Sequence, residues 1–271
     1  MNLSTQQLRP RLYGISLGPG DPGLITRRAW DLLQRGDCWT YPVRNQKSDS
    51  YALSIALAAG LTMPQKHQAL IFPMTHDVEI LQGYWLRAAQ QVLQMLQQGY
   101  DVMFLVEGDA STYSTFGHLA KTLRALDDSY AIEVVAGVPS YNAAAARLDM
   151  PIADVDDTVA IVPAGYGIAA LDTMLSQVDC LILLKVKPLL DDIIAWLRRR
   201  ELLAHAAFVE KAGSEEERVV RDITQLEDQK VNYLSLIMVR NPGRHRGEVI
   251  RGCRKKHSPA EQSEKTLQDV I

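Results

Sequence analysis

Apolar positions along this chain recur in two rhythms that take turns. Short, nearly unbroken apolar runs lie at residues 12–17, 38–41, 68–72, 101–106 and 131–135, the length and character of buried strands. Between them apolar residues return every three or four positions, as on one face of a helix. Leu24, Ile25, Ala29, Leu32 and Leu33 follow Asp21-Pro22, which predicts a helix with Asp21 as N-cap, Pro22 at its first position and Gly36 as its stop. Residues 51–58 form a second helix closed by Gly60. Residues 77–98 form a long amphipathic one stopped by Gly99, and 140–148 an alanine-rich one. Strand and helix in alternation predict an α/β domain with a mostly parallel, doubly wound sheet over residues 1–150.

The stretch 150–157 breaks this rhythm. It is polar, contains Pro151, and has Asp149, Asp154, Asp156 and Asp157 in or beside it, so it is expected to link two domains. Strand patterns return at 159–163, 180–185 and 206–210, with helices at 171–177 and 189–200 between them. After Gly213, strands at 218–221 and 233–240 follow with no full helix between, and they are expected to pair antiparallel as neighbours. Residues 151–245 are therefore a mixed α/β domain, with a ligand cleft expected between it and the first. Residues 246–271 form a basic tail: from Arg240 onward eight Lys/Arg face four Asp/Glu.

Composition narrows the function classes. A chain of 271 residues with 47% hydrophobic and 23% charged residues has room for two ordinary domains. A formal charge of −3 gives no general affinity for nucleic acid, so no nucleic-acid partner is expected. No apolar run is long enough to span a bilayer, and the first residues lack the apolar core of a secretory signal. Three separated cysteines, Cys38, Cys180 and Cys253, do not make a disulfide framework, which fits the cytoplasm. No histidine pair has helix-borne zinc spacing and no nucleophile elbow occurs, so no protein-bound metal is expected.

Three glycine-bearing turns follow strands of the first domain: Gly14-Ile-Ser-Leu-Gly18-Pro19-Gly20-Asp21, Glu107-Gly108-Asp109, and Ala136-Gly137-Val138-Pro139-Ser140. On a parallel sheet all three fall at the carboxyl edge, where they can line one crevice. The first lacks the spacing of a dinucleotide turn and has no Walker lysine. The hydroxyls after Asp109 open a helix pattern, as caps, as ligand contacts, or as both.

The runs LYGISLGPGDPGLIT, VEGDASTYSTF and AGVPSYNAAAARLDMPI resemble, in order and spacing, the three signatures of the tetrapyrrole methylases. The Ser-Thr-Tyr-Ser-Thr-Phe stretch most resembles the C-20 methyltransferases of corrin biosynthesis, which act on precorrin-2 or cobalt-precorrin-2. Ala110 stands where the family usually has proline, and Ala136-Gly137 where it usually has Pro-Gly. The resemblance implies two α/β domains with S-adenosylmethionine as methyl donor in the cleft between them. It carries donor contacts to Gly108, Asp109, Thr112, Ser140, Tyr141, Lys185 and Ala212. It also implies a homodimer and a substrate rich in carboxylates, for which Pro19, Gly20, Arg27, Arg28 and Arg44 are candidate contacts. Loss of a proton from C-20 calls for a base, and Asp21 and Tyr113 are the candidates. The alternatives are a different acceptor within the same superfamily, another precorrin position or a ribosomal-RNA ribose, and a non-catalytic module that binds a tetrapyrrole or nucleotide.

Overall fold

The computed structural model describes residues 9–35 and 38–244. Gly36, expected to stop the first helix, and the tail at 246–271, with Cys253, lie outside the described residues. Two five-stranded sheets organise the rest. The first is wholly parallel, in the order β3-β2-β4-β1-β5, from β1 (Arg11–Ser16), β2 (Cys38–Val43), β3 (His67–Ile71), β4 (Val102–Val106) and β5 (Ala131–Val135). Its helices are α1 (Arg27–Leu33), α2 (Tyr51–Ala58), α3 (Val78–Gln97) and α4 (Phe116–Leu126).

β4 is buried along its whole length and shows why an apolar run suffices for a central strand. Its side chains alternate: Val102, Phe104 and Val106 enter the core under α3 and α4, while Met103 and Leu105 enter the core with Ala29, Ala52 and Ile55 from α1 and α2. β1 and β4 lie side by side, yet the chain leaves them in opposite directions, to β2 on one side and to β5 on the other. A crevice at the carboxyl ends of such a pair is the usual ligand site of an open sheet.

The second sheet has the order β6-β7-β10-β8-β9, from β6 (Val159–Pro163), β7 (Cys180–Leu184), β8 (Ala206–Glu210), β9 (Arg218–Val220) and β10 (Ser235–Arg240). β6 and β7 are parallel, and the other pairs are antiparallel. The expectation that β9 and β10 pair with each other is corrected: each pairs with β8, which lies between them. Leu181, Leu183, Phe208, Ile237 and Val239 fill one face with Ile193, Trp196 and Leu197 of α7 (Leu190–Arg199), and Leu171 of α6 (Ile168–Leu175) joins them.

The opposite face takes α5 (Ser140–Leu148). Ala143, Ala144 and Leu148 pack among Ile182, Leu184, Val209 and Met238. Thus α5, placed with the first domain by sequence position, covers the second sheet, and its small alanines let the helix lie close to those strands. The segment 150–158 contains no helix or strand. Arg240, at the end of β10, anchors it by donating to the Ile152 carbonyl (3.0 Å) and pairing with Asp157 (2.6 Å).

The first helix also starts later than expected. Asp21 does cap a turn, accepting from the Gly23 amide at 2.8 Å, but that turn is a three-residue 3-10 segment, Pro22–Leu24. α1 begins afresh with Thr26 as its cap. No helix among the described residues is long and apolar enough to cross a membrane.

Candidate functional site

The three glycine-bearing turns meet at the carboxyl edge of the first sheet. Gly18 and Gly108 exchange backbone hydrogen bonds (3.2 and 2.7 Å), joining the turns after β1 and β4. Ser16 accepts the Ala110 amide at 2.9 Å. The third turn is fastened by Asp109, whose carboxylate accepts the Gly137 amide at 2.8 Å. Gly137 leaves no alternative, since a Cβ there would lie 2.3 Å from the Ser16 Cβ and 2.8 Å from the Gly108 carbonyl oxygen.

Between this edge and the second sheet lies a cavity of about 540 Å³, a size in the range of small-molecule sites. Pro19, Arg44, Gly108, Asp109, Thr112, Tyr113, Ser140, Tyr141, Lys185 and Ala212 line it, so ten of the expected residues come together. Gly20 does not face it. It packs against the Tyr51 hydroxyl and the Ser214 amide. Arg27 pairs with Asp31 one turn along α1, Arg28 pairs with Glu133 of β5, and neither reaches the cavity. Of the three arginines offered for substrate carboxylates, only Arg44 is placed to meet a ligand there.

The backbone around the cavity is held in unusual conformations. Gly108 has φ +72°, and space is open where its Cβ would stand. Tyr113, Lys185 and Lys211 also have positive φ, at 51°, 57° and 49°. Non-glycine residues take that region at a cost, and such residues gather where a ligand site fixes the backbone. The expected helix after Asp109 begins only at Phe116, and residues 111–115 form an irregular turn. Ser111 gives Asp109 both its amide and its hydroxyl, and Ser114 accepts the Phe116 amide. Capping and cavity lining are thus divided among the hydroxyls, with Thr112 toward the cavity. The first turn of α5 has no side-chain cap, and Ser140 and Tyr141 bring its start to the cavity wall.

The titrating groups differ sharply. Burial would raise the Asp109 pKa, but hydrogen bonds from Ser111, Gly137 and Thr112 outweigh it and hold the carboxylate below its ordinary range. Tyr113 is spent differently: its hydroxyl donates to the Ile161 carbonyl of β6 at 2.8 Å, and burial raises its pKa. The Tyr113 hydroxyl is thus engaged across the cleft, while Asp21 is engaged by its own turn and is not among the residues that line the cavity. Glu107, passed over in the sequence, lines the cavity and is partly buried. Desolvation pushes its pKa up to about 7, against the pull of Arg44 and Lys185. A carboxylate immediately before the Gly-Asp turn was the available signal.

These features fit a donor held by backbone: an open glycine, an uncapped helix start and strained strand ends facing one cavity. The family model for Tetrapyrrole (Corrin/Porphyrin) Methylases matches residues 11–227. A Salmonella typhimurium protein named cobalt-precorrin-2 C(20)-methyltransferase is 32% identical over 230 residues, covering 84% of this chain and 95% of its own. A Sinorhizobium protein named precorrin-2 C(20)-methyltransferase is 26% identical over 238 residues, 84% of this chain and 94% of its own. The solved uroporphyrin-III C-methyl transferase of Thermus thermophilus, complexed with S-adenyl homocysteine, shares the fold. Its TM-score is 0.56 at 22% identity, covering 84% of this chain and 96% of that one.

Proposed function

The chain belongs to the tetrapyrrole methylases, and from that premise we propose that it transfers a methyl group from S-adenosylmethionine to C-20 of precorrin-2 or cobalt-precorrin-2 in cobalamin biosynthesis. The observation that carries this reading is the single cavity in which all three glycine-bearing turns meet the second sheet. It is supported by similarity, over most of the chain, to relatives named for the C-20 reaction on the metal-free and the cobalt-bound substrate.

When bound, S-adenosylmethionine supplies an electrophilic methyl group on a sulfonium. Gly108, Thr112, Ser140, Tyr141, Lys185 and Ala212 would hold it, chiefly through backbone and hydroxyl groups. Asp109 keeps the second and third turns locked together, which fixes their part of the cradle. In-line displacement needs alignment more than side-chain chemistry, which a rigid backbone cradle supplies. Arg44, which has no ion pair among the described residues, would receive a carboxylate of the macrocycle, and Pro19 would border the same pocket. A homodimer in the cytoplasm completes the reading; buried Cys38 and Cys180 suit a reducing compartment.

Incubating purified protein with methyl-labelled S-adenosylmethionine and each tetrapyrrole tests the reaction. Label is expected in the macrocycle at C-20. Tight donor binding without incorporation on either substrate would sink the enzyme reading. The ratio of the two rates identifies the natural substrate, and light scattering gives the mass in solution.

A further inference from the structure

We propose that Glu107 is the base that removes the proton from C-20 of the substrate. This inference rests on the C-20 reading and gives that site a proton acceptor that lines the cavity.

The placement of Glu107 follows from the strand. Met103 and Leu105 point to the α1 and α2 side of the first sheet, and two-residue alternation puts Glu107 on that side, at the last position before the turn. The positive φ of Gly108 then breaks the alternation, so Asp109 turns to Gly137 while Glu107 stays at the cavity wall. Three elements face the Glu107 carboxylate. Arg44 follows β2, Lys185 follows β7, and Tyr51 opens α2 with its hydroxyl donated to the Pro19 carbonyl at 3.3 Å. Among the described residues no hydrogen bond or ion pair within 4 Å occupies the Glu107 side chain. A carboxylate desolvated beside a ligand cavity and left unpartnered is costly unless it works on the ligand.

The chemistry needs such a group. Once C-20 bonds to the new methyl, the electron pair of the broken carbon–sulfur bond stays on sulfur. The macrocycle then carries a positive charge and still holds the C-20 hydrogen. The Glu107 carboxylate takes that hydrogen as a proton. The carbon–hydrogen pair returns to the conjugated ring, which becomes neutral, and Glu107 becomes a neutral acid. Bulk water regenerates the carboxylate through the open side of the cleft. No oxidant, reductant or further reactant is required. Arg44 and Lys185 stabilise the ionised form that begins the cycle, and desolvation makes that form basic enough to act near neutrality.

The test uses the full chain with Glu107→Gln and Glu107→Asp. Glu107→Gln is expected to lower kcat about 100-fold or more, to leave S-adenosylhomocysteine affinity by calorimetry within about twofold of wild type, and to erase the acid limb of the kcat/KM profile near pH 7. Glu107→Asp should recover part of kcat. Infrared difference spectra without any substrate should show a protonated carboxyl band that titrates near pH 7 in wild type and is missing from Glu107→Gln. A Gln variant that keeps both kcat and the acid limb overturns the base on an active enzyme. So does one that loses donor affinity while keeping kcat, which would make Glu107 a donor-holding residue. If wild type methylates neither tetrapyrrole while the infrared band titrates normally, the C-20 reading itself has failed, and the base fails with it.

Discussion

Glu107 and Asp109 are carboxylates of the same strand end, separated by one glycine, and they behave in opposite ways. Burial raises both. Asp109 is surrounded by donors from its own turn and from the turn after β5, and its pKa falls below the ordinary range. Glu107 has only the more distant charges of Arg44 and Lys185, and its pKa climbs to about 7. Hydrogen bonding therefore decides which carboxylate is a strut and which can exchange a proton at neutral pH. Gly108 makes the contrast possible by turning the backbone between them.

Removing that turn should have the largest effect. Gly108→Val places a β-branched side chain at φ +72° and aims it into the open space of the cavity. Loss of donor affinity of about 100-fold or more is expected, since several side-chain atoms would occupy the ligand's volume, together with a fold penalty of about 1–2 kcal/mol. Calorimetry with S-adenosylhomocysteine and thermal melts measure the two parts. Unchanged affinity in a folded variant refutes the placement of the donor against Gly108.

Asp109→Asn attacks the strut. An amide facing the Gly137 N–H sets donor against donor, and the charge that holds the Ser111 hydrogen bonds is lost. The expected cost is about 2–3 kcal/mol by urea denaturation at pH 7. Because the Asp109 pKa is lowered on folding, its contribution is present above its ordinary value near 3.8 and is lost as pH falls through the depressed value. The gap between wild type and variant should therefore close in acid. A gap that stays constant as pH falls, with no sign of closing in acid, would mean that shape, not charge, holds the third turn.

Much of this geometry was legible in the sequence, because burial leaves a direct mark. The apolar run Cys180–Leu184 became a fully buried strand, and Ser140–Leu148 became a helix with the bounds its alanines predict. What stayed hidden depends on groups far apart in the chain. The hydroxyl run after Asp109 has the composition of a helix start, yet Ser111 is drawn back to Asp109 and Tyr113 takes a positive φ, so the helix waits until Phe116. β9 and β10 follow one another in sequence, but β8 pairs both and separates them. The exposed charge of Arg27 and Arg28 looked available, and Asp31 and Glu133 use it. Glu107 carried no local sign of its raised pKa, since the elements that desolvate it and the charges that oppose the shift come from residues tens to a hundred positions away.

Glu107→Gln separates the two carboxylates by the sign of their effect on stability. Below about pH 4.5 Glu107 is protonated whether the chain is folded or not. Between there and pH 7 the folded chain keeps a proton that the unfolded chain has released, so stability falls as pH rises through that window. Glutamine mimics the neutral acid at every pH. The variant should match wild type at pH 4.5 and exceed it at pH 8 by about 1–2 kcal/mol, the full value for such a shift being reduced by the open side of the cleft. Asp109→Asn destabilises at neutral pH and Glu107→Gln stabilises, in neighbouring positions of one turn. Effects of opposite sign at two such close positions would be hard to produce by a general change in packing.

The smallest effect concerns the two cations. Arg44 pulls on Glu107 more strongly than Lys185 does, and both favour the ionised carboxylate. Removing either should move the acid limb of kcat/KM to higher pH, Arg44→Gln further than Lys185→Gln, each by less than about one unit because the pairs are separated and partly screened. Raising ionic strength should then shrink the difference between the variants and wild type. Arg44→Gln should also raise KM for the tetrapyrrole, while Lys185→Gln should raise KM for the donor, since the two residues reach the cavity from the ends of strands in different sheets. A limb that stays in place in both variants would mean that desolvation alone sets the Glu107 pKa, and that the cations serve the ligands and not the base.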